Sequence, residues 1–378
     1  MSGNNAHTAD VAVIGGGAIG LSIAWRIATT GLAVTVCDPD PGRGASWAAA
    51  GMLAPVSEVH YGEEALLALN LDSARRWPSF AATLEAASGA DVGLRTEGTL
   101  IVAHDDDDLR AIDELARFQG ELGLAVERLR ARDCRALEPL LHPRVRGGLL
   151  VSDDHQVDNR RLVAALLVAA ERAGVTLRRE PVVDVDIPDG RATAVRLENG
   201  DRLAAGAIVV AAGCWSSTLR LPPAVVPPVR PVKGQIVRLR SDPGWLGRPV
   251  RGLAHGSSVY LVPRAGGEVV VGATVEELGF DTRVTAGAAY ELLRTAVDVV
   301  PGVAELELVE TTAGLRPGTP DNAPVLGPTA VEGLILATGH FRNGVLLTPV
   351  TADSICSLVA DGVLPAVARP FTLDRFHS

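Results

Sequence analysis

The fold of this 378-residue chain is decided by Asp10-Val-Ala-Val-Ile-Gly-Gly-Gly-Ala-Ile-Gly20. Residues 10–14 predict a short apolar strand of the kind that is buried on both faces of a parallel sheet. Apolar residues at helical spacing predict a helix over about residues 21–28, and residues 33–37 predict a second strand that ends at Asp38. The segment therefore predicts one complete βαβ unit.

The glycines of this segment have the spacing of a dinucleotide-binding loop. Gly15 permits the tight turn, Gly17 lets the backbone approach a pyrophosphate, and Gly20 lets the helix pack close to the strand. The N-terminus of the helix then attracts the anion. Asp38 follows the second strand, where an acid bonds a ribose 2′-hydroxyl and disfavours NADP. We therefore predict a dinucleotide site.

A late segment favours FAD over NAD. Residues 333–337 predict another buried strand, residues 338–347 a glycine-bearing loop, and Thr348-Pro349 the start of a closing helix. The N-terminus of that helix could stabilise the negative charge of a reduced flavin, whereas the alternative is an ordinary strand-to-helix turn. A nicotinamide enzyme usually completes its site within one contiguous domain. We therefore expect a Rossmann-like domain built from discontinuous segments.

The remaining pattern predicts an α/β fold with a second, α+β substrate domain around an antiparallel sheet, which suits a chain with 47% hydrophobic residues. We assign residues 9–92, 146–220 and 312–365 to the FAD-binding domain, and residues 93–145 and 221–311 to the substrate-binding domain. Predicted elements include helices within 63–89, the second interrupted near Pro78, an exposed strand at 96–103, a helix at 159–173, and strands at 175–186, 191–198, 208–215, 233–240, 258–263 and 267–274.

Composition excludes several classes of partner. The formal net charge of −10 would repel phosphate backbones, so we expect no nucleic acid. The apolar runs fall short of the roughly 20 residues of a membrane span. The first nine residues are polar and lack the pattern of a signal peptide, which suggests a loose tail. We expect a cytoplasmic protein with no membrane partner.

Cysteine and histidine spacing gives no support for a metal. Four cysteines stand far apart, which suits buried reduced thiols better than disulfides. The eight histidines contain no HExxH and no close pair. We predict no metal site. The cysteines are Cys37, Cys134, Cys214 and Cys356.

Six stretches carry a family resemblance: VIGGGAIG at 13–20, AAAGML at 48–53, YLVPR at 260–264, VGAT at 271–274, GLRPGTPD at 314–321 and GHFRNG at 339–344. Together they resemble the D-amino acid oxidase family of flavoproteins, and within it the glycine oxidase group of thiamine biosynthesis. The resemblance spans nearly the whole chain. Related sarcosine oxidases attach the flavin through a cysteine before a Thr-Pro-Asp segment, but the stretch from Gly314 contains none. We therefore expect non-covalent FAD.

The resemblance also implies which residues contact FAD. Besides the glycine loop and the acid at the ribose, these residues come from the helix start, from residues 45–52 and from the late loop. Val182 would meet the adenine, with Val183 as the alternative, and Met52 could instead be simple core packing. The implied cofactor residues are Ala18, Ile19, Asp38, Pro39, Ala45, Ser46, Ala50, Gly51, Met52, Val182, His340, Phe341, Arg342, Asn343, Gly344, Val345 and Leu346.

Three residues are implied to bind the substrate: Tyr260 and Arg316 would hold its carboxylate, and Arg342 would lie close to the flavin. A guanidinium offers two parallel donors to a carboxylate, and a tyrosine hydroxyl can add another bond. The alternatives are a solvated loop arginine and a packed strand tyrosine. We assign no catalytic acid or base, because hydride transfer depends on geometry. His340 could act as a base, but a histidine in a turn more often bonds backbone.

The predicted activity is oxidation of glycine, with sarcosine or small D-amino acids as further substrates, to an imine and then glyoxylate. Oxygen would be reduced to peroxide, and the imine would supply thiazole formation. The resemblance suggests a homo-oligomer. Two alternatives stay open: a D-amino acid oxidase or dehydrogenase with a larger pocket, and a non-catalytic flavin-binding subunit. The latter would have no need for the two arginines near a flavin.

Overall fold

The computed structural model describes residues 7–377. Residues 1–6, which belong to the predicted loose tail, lie outside this range. The remainder of that predicted tail is not loose, because the first strand already begins at His7, three residues earlier than expected. None of the helices within the described range combines the length and hydropathy needed to cross a membrane.

The strands are β1 (His7–Ile14), β2 (Val34–Cys37), β3 (Met52–Leu53), β4 (Thr99–Ala103), β5 (Glu127–Arg130), β6 (Gly147–Val151), β7 (His155–Gln156), β8 (Thr176–Arg178), β9 (Val182–Asp186), β10 (Ala194–Leu197), β11 (Arg202–Val210), β12 (Arg230–Arg240), β13 (Val250–Ala254), β14 (Ser257–Pro263), β15 (Glu268–Gly272), β16 (Glu307–Gly318), β17 (Val325–Pro328) and β18 (Leu334–Thr338). The α-helices are α1 (Ala18–Ala28), α2 (Ala45–Ala48), α3 (Glu64–Ser88), α4 (Asp106–Glu121), α5 (Ala131–Leu137), α6 (Asn159–Arg172), α7 (Ala286–Val299) and α8 (Thr348–Asp361). Short 3-10 helices include Gly213–Ser217 and Phe341–Asn343.

The first sheet has a main path of six strands in the order β17-β18-β11-β1-β2-β8, which are parallel except at β17. Two further strands extend it from β11: β10 pairs antiparallel with β11, and β9 pairs antiparallel with β10. Its centre is the predicted βαβ unit. The late strand β18 joins β11 in parallel, with Val209 opposite Ile335, so the predicted return of the far end of the chain to this sheet is confirmed. Helices α1, α3, α6 and α8 pack together over one face of this sheet and form the largest apolar core.

The second sheet has the order β16-β12-β15-β14-β13-β4-β6-β5. It is antiparallel except where β13 and β4 run parallel. Helix α7 covers one face, where apolar residues of β12 to β15 form a separate core. The predicted antiparallel sheet of the second domain is thus present, and it is wider than the three strands expected.

Two segments pair differently from the predicted domain division. Residues 147–151 and the end of β16 were assigned to the FAD-binding domain, but both belong to the second sheet. The predicted strand at 175–186 is also two strands: β8 lies at the edge of the first sheet, and β9 pairs with β10. Local pattern cannot distinguish these pairings, because each depends on a partner strand far away in sequence.

Two local predictions were wrong. Residues 64–88 form one helix that continues through Pro78, although proline removes a backbone donor. Trp77 and Phe80 are almost fully buried on either side of it, and this packing outweighs the local cost. The predicted exposed strand at 96–103 is observed as β4, whose five residues are all buried because it lies between β13 and β6.

Candidate active site

Two side chains fix the glycine loop between β1 and α1 by accepting hydrogen bonds from its backbone. Asp38 accepts a hydrogen bond from the Gly16 N–H at 2.6 Å, and Ser46 Oγ accepts one from the Ala18 N–H at 3.0 Å. Gly15 has a φ of +105°, and a Cβ there would collide with the Ala211 carbonyl. The conformation at Gly15 therefore requires glycine. Gly17, Ala18 and Ile19 at the start of α1 line a cavity, so the N-terminus of this helix faces a space that an anion could enter.

A cavity of about 1190 Å³ begins at this loop and runs along β3 and the late loop to the second sheet. Pockets for small molecules usually measure about 300–1,000 Å³, so this one has room for a dinucleotide and a small substrate together. The predicted residues that line it are Gly15, Gly17, Ala18, Ile19, Asp38, Pro39, Ala45, Ser46, Ala50, Gly51, Met52, Val182, Tyr260, Arg316, His340, Phe341, Arg342, Gly344 and Val345. Glycine loop, helix end, acid and volume all fit FAD.

Three predicted cofactor residues do not line the cavity. Gly20 lies against the Gly15 carbonyl, where any Cβ would collide, so it permits close packing of helix and loop. Asn343 is buried, and its N–H donates to the His340 carbonyl. The carbonyl of Leu346 accepts hydrogen bonds from Ser73 and Trp77 of α3, at 2.6 and 2.9 Å. The contacts of Asn343 and Leu346 thus fix the late loop from the side away from the cavity.

The start of α8 also lies outside the cavity lining. Gly344 and Val345, just before that helix, line the cavity instead. The interaction of the α8 N-terminus with a flavin stays a prediction. A 3-10 helix at Phe341–Asn343 and a short turn precede the start of α8.

Arg264 fixes the segment around Gly51 from the side opposite the cavity. Its guanidinium donates to the carbonyls of Ala50 and Val157 at 2.6 and 2.9 Å, and to the side chains of Gln156 and Asn159, both at 3.1 Å. Burial lowers the pKa of Arg264 to about 10. The sequence contained this residue in the YLVPR motif, but spacing alone assigned it no role.

Arg316 lies half-buried on β16 with its charge unmatched. Its guanidinium donates to the carbonyls of Thr274 and Lys233 at 3.1 and 3.4 Å. Within residues 7–377 no carboxylate forms an ion pair with it. Tyr260 lies beside it, and burial raises the pKa of Tyr260 to about 12, so the hydroxyl stays protonated and can donate. The pair is suited to bind a carboxylate.

Arg342 differs from Arg316 because its charge is already matched. Its guanidinium forms an ion pair with Glu63 at 2.8 Å and lies 5.0 Å from the centre of the Phe341 ring. Glu63 was not identified from the sequence, since nothing in local spacing links it to a residue 279 positions later. The structure thus brings both predicted arginines to the cavity but gives them different surroundings.

His340 is buried and its Nε2 lies 3.0 Å from the Thr351 hydroxyl. The expectation that it bonds backbone was wrong, because the first turn of α8 presents a side-chain hydroxyl to it. Burial lowers the pKa of His340 to about 3. It is therefore a neutral, fixed group, in keeping with its omission from the catalytic residues.

Several lining residues were not singled out by the sequence, because no motif marks them. Arg251 and Glu58 form an ion pair at 2.6 Å on the far side of Tyr260. Others are Arg43, Ala49, His60, Trp215 and Thr338. Within the described range no group of three or more His, Cys, Asp or Glu residues is arranged to hold a metal ion.

Known proteins resemble the chain over almost its full length. Residues 10–358 match the DAO family, described as FAD dependent oxidoreductase. Glycine oxidase of Geobacillus kaustophilus is 34% identical over 98% of this chain and 97% of its own, and glycine oxidase of Pseudomonas putida is 36% identical over 93% of both. The crystal structure of the Geobacillus kaustophilus enzyme has a TM-score of 0.90 at 33% identity and covers 98% of this chain and 99% of that chain.

Longer relatives match as well. The bifunctional protein ThiO/ThiG of Synechocystis is 36% identical over 98% of this chain, which spans about half of that protein's length (54%). The matches confirm the resemblance found in the sequence and the predicted fold class. The chain belongs to the DAO family of FAD-dependent oxidoreductases.

Proposed function

We propose that the chain oxidises glycine, and sarcosine or small D-amino acids more slowly, as a glycine oxidase. The observation that carries the proposal is the unmatched Arg316 beside Tyr260, in the same cavity as the glycine loop. An amino-acid carboxylate is the anion that this pair would hold, through a fork of two guanidinium donors and a hydroxyl. The relatives named glycine oxidase support the same substrate.

The chemistry divides between cofactor and protein. Bound FAD would accept the hydride from the substrate α-carbon. Arg316 and Tyr260 would fix the carboxylate, and thereby orient the α-carbon, which is a contribution of geometry. His340 is neutral and hydrogen-bonded to Thr351. The substrate amine must therefore bind in its neutral form or lose its proton without help from His340. Overall, glycine, O2 and water would give glyoxylate, ammonia and hydrogen peroxide through an imine.

FAD would be held without a covalent bond. Cys37 and Cys214 both line the cavity, near the glycine loop. Burial raises the pKa of each thiol to about 12, which keeps both as weakly reactive thiols. The four cysteines are free: Cys37, Cys134 and Cys214 are buried, and Cys356 is half-buried.

The ThiO/ThiG relatives support a role in which the imine supplies thiazole formation for thiamine. The hydrogen cyanide synthase subunit HcnC of Pseudomonas aeruginosa is also similar, at 32% identity over 98% of this chain and 97% of its own. The unmatched charge of Arg316 disfavours a purely structural flavin subunit. The cytoplasmic location and the homo-oligomer stay predictions.

The test is anaerobic reduction of the purified holoenzyme. Glycine should bleach the flavin absorbance, and readmitted O2 should restore it with formation of peroxide. A flavin that glycine leaves oxidised while a bulkier D-amino acid reduces it quickly would instead favour the broader D-amino acid oxidase. Release of FAD on denaturation checks that the cofactor is not covalently attached.

A further inference from the structure

The chain contains 35 lysine and arginine residues, and Lys233 of β12 is its single lysine. The side chain of Lys233 is completely buried, and its Nζ has no hydrogen-bond partner among the described residues. Charged side chains are rarely buried unless they are paired, because the removal of a charge from water is costly. The place of Lys233 in the fold therefore requires a compensating charge.

Two carboxylates supply the compensating charge. An oxygen of Glu276 lies 3.7 Å from the Nζ of Lys233, and an oxygen of Asp281 lies 3.8 Å from it. Burial acts to raise the pKa of Glu276, but hydrogen bonds, foremost that from Thr274, and the charge of Lys233 lower this pKa overall. Hydrogen bonds from Arg283 lower the pKa of Asp281 to about 2. Both acids are therefore ionised at neutral pH, and the ammonium lies between them.

The same residues fix the backbone of residues 274–276 to β12. The Lys233 N–H donates to the Glu276 carbonyl at 2.8 Å, and the Glu276 N–H donates to the Lys233 carbonyl at 3.0 Å. The Thr274 hydroxyl accepts a hydrogen bond from the Gln235 N–H at 2.9 Å and donates to the Glu276 carboxylate at 2.5 Å. Main-chain bonds, side-chain bonds and the ion pair thus act together on the position of this segment.

The guanidinium of Arg316 lies on the opposite face of this part of the sheet. An added Cβ at Gly234 would collide with the guanidinium, so position 234 faces it. Successive residues of a strand point to opposite faces, so the side chain of Lys233 points away from the guanidinium. One nitrogen of the guanidinium donates to the carbonyls of Thr274 and Lys233, at 3.1 and 3.4 Å. The direction of the guanidinium therefore depends on where residues 274–276 lie against β12.

We propose that Lys233 and Glu276 are positioning residues of the carboxylate site, and that their ion pair fixes the Thr274 carbonyl, which directs the remaining donors of Arg316 into the cavity. Neither Lys233 nor Glu276 lines the cavity, so both act through Arg316 and not on the substrate. An ammonium is compact, whereas a guanidinium in this buried place would bring five donors that need acceptors. The inference rests on the proposed function, because it requires that Arg316 binds the substrate carboxylate.

The first test is titration of acetate into the holoenzyme while the flavin spectrum is recorded. Glu276→Gln removes the charge but keeps the shape of the side chain. We expect it to raise the dissociation constant of acetate about tenfold, because a small displacement of a binding group is costly. Glu307→Gln is the matched control, since it removes the exposed partner of Arg240 at the other end of the same strand pair. It should leave the dissociation constant unchanged.

The two possible failures of this test differ. A dissociation constant for Glu276→Gln within about twofold of that for Glu307→Gln overturns the inference and leaves the proposed function intact. A wild-type holoenzyme that binds no acetate instead rejects Arg316 as the carboxylate site, and both proposals fall with it.

A double-mutant cycle separates positioning from a purely structural role. Lys233→Met removes the cation and should lower the second-order rate constant of anaerobic flavin reduction by glycine about tenfold, mainly by weakening glycine binding. In the Arg316→Ala background the same substitution should have almost no further effect, because the group through which Lys233 acts is gone. Equal factors in the two backgrounds overturn the inference. The cycle also replaces the acetate test if Glu276→Gln does not fold.

The single lysine also provides a spectroscopic probe. Holoenzyme labelled with lysine carrying 13C at the ε position should give one lysine side-chain resonance, that of Lys233. Acetate should shift this resonance with the same dissociation constant that the flavin spectrum reports, and Arg316→Ala should abolish the shift. A resonance that stays in place while the flavin spectrum shows bound acetate overturns the inference.

Discussion

Replacing Arg316 by alanine is the most direct perturbation of the proposed carboxylate site. A hydrogen bond to a charged group contributes about 1.5–3 kcal/mol, and removal of one partner of a buried charge pair costs about 2–5 kcal/mol. Arg316 is half-buried, so we take the lower part of this range, about 2–4 kcal/mol. That loss corresponds to a fall of about 30- to 1,000-fold in kcat/KM for glycine.

The assay combines three measurements on the same preparation. Oxygen consumption against glycine concentration gives kcat/KM, flavin absorbance gives the bound FAD, and thermal unfolding reports the loss of the two bonds to Thr274 and Lys233. Arg240→Ala is the matched control, because this exposed arginine of the same sheet lies outside the cavity and its loss should leave kcat/KM unchanged. A value of kcat/KM within about threefold of wild type in Arg316→Ala, with FAD retained, would refute the assignment.

Three further predictions concern the surroundings of the cavity. Gly51→Ala should reduce FAD content and destabilise the fold by about 1–3 kcal/mol, because φ at Gly51 is +70° and a backbone carbonyl occupies the position of the added Cβ. The control Gly120→Ala, where the added Cβ meets open space on α4, should be neutral or stabilising. Equal unfolding temperatures of the two variants would contradict this prediction. Arg264→Met should weaken FAD binding by freeing the Ala50 carbonyl, with partial rescue by lysine, and an unchanged FAD dissociation constant would rule out its positioning role. Burial lowers the pKa of His340 to about 3, against 6.5 in the unfolded chain, so its neutral form stabilises the fold fully above pH 6.5 and this contribution is lost as the pH falls toward 3. The unfolding temperature of His340→Gln should therefore fall less steeply than that of the wild type as the pH is lowered from 6.5. Equal slopes in the two proteins would contradict this prediction.

The fold could be predicted largely because its decisive features are local. The strand, glycine loop and helix of residues 10–28 lie next to one another in sequence. The spacing of their apolar residues therefore indicates which positions are buried. The path of α3 could not be predicted in the same way. Pro78 is a local signal to end a helix, and the burial of Trp77 that overrides it depends on contacts with distant segments.

The residues of the candidate site could be named from motifs, but not their electrostatic state. Asp38 was expected at a ribose, and it also accepts the Gly16 and Asp40 N–H groups at 2.6 and 2.8 Å, which local spacing does not reveal. The sequence named both Arg316 and Arg342 as substrate-binding residues, without their ionic partners. Only the fold brings Glu63 to Arg342 and leaves Arg316 with neutral partners.

The cavity walls come from opposite ends of the chain, since residues 15–19 and 337–345 both line it. During synthesis the glycine loop leaves the ribosome long before the late loop has been made, so a nascent chain presents only part of the binding surface. The complete site therefore forms only after residue 345 has been made, and full FAD binding follows the synthesis of both loops. Because a ligand that binds only the folded state stabilises it in proportion to the logarithm of its free concentration, a cell poor in riboflavin should contain less of this protein even at constant synthesis.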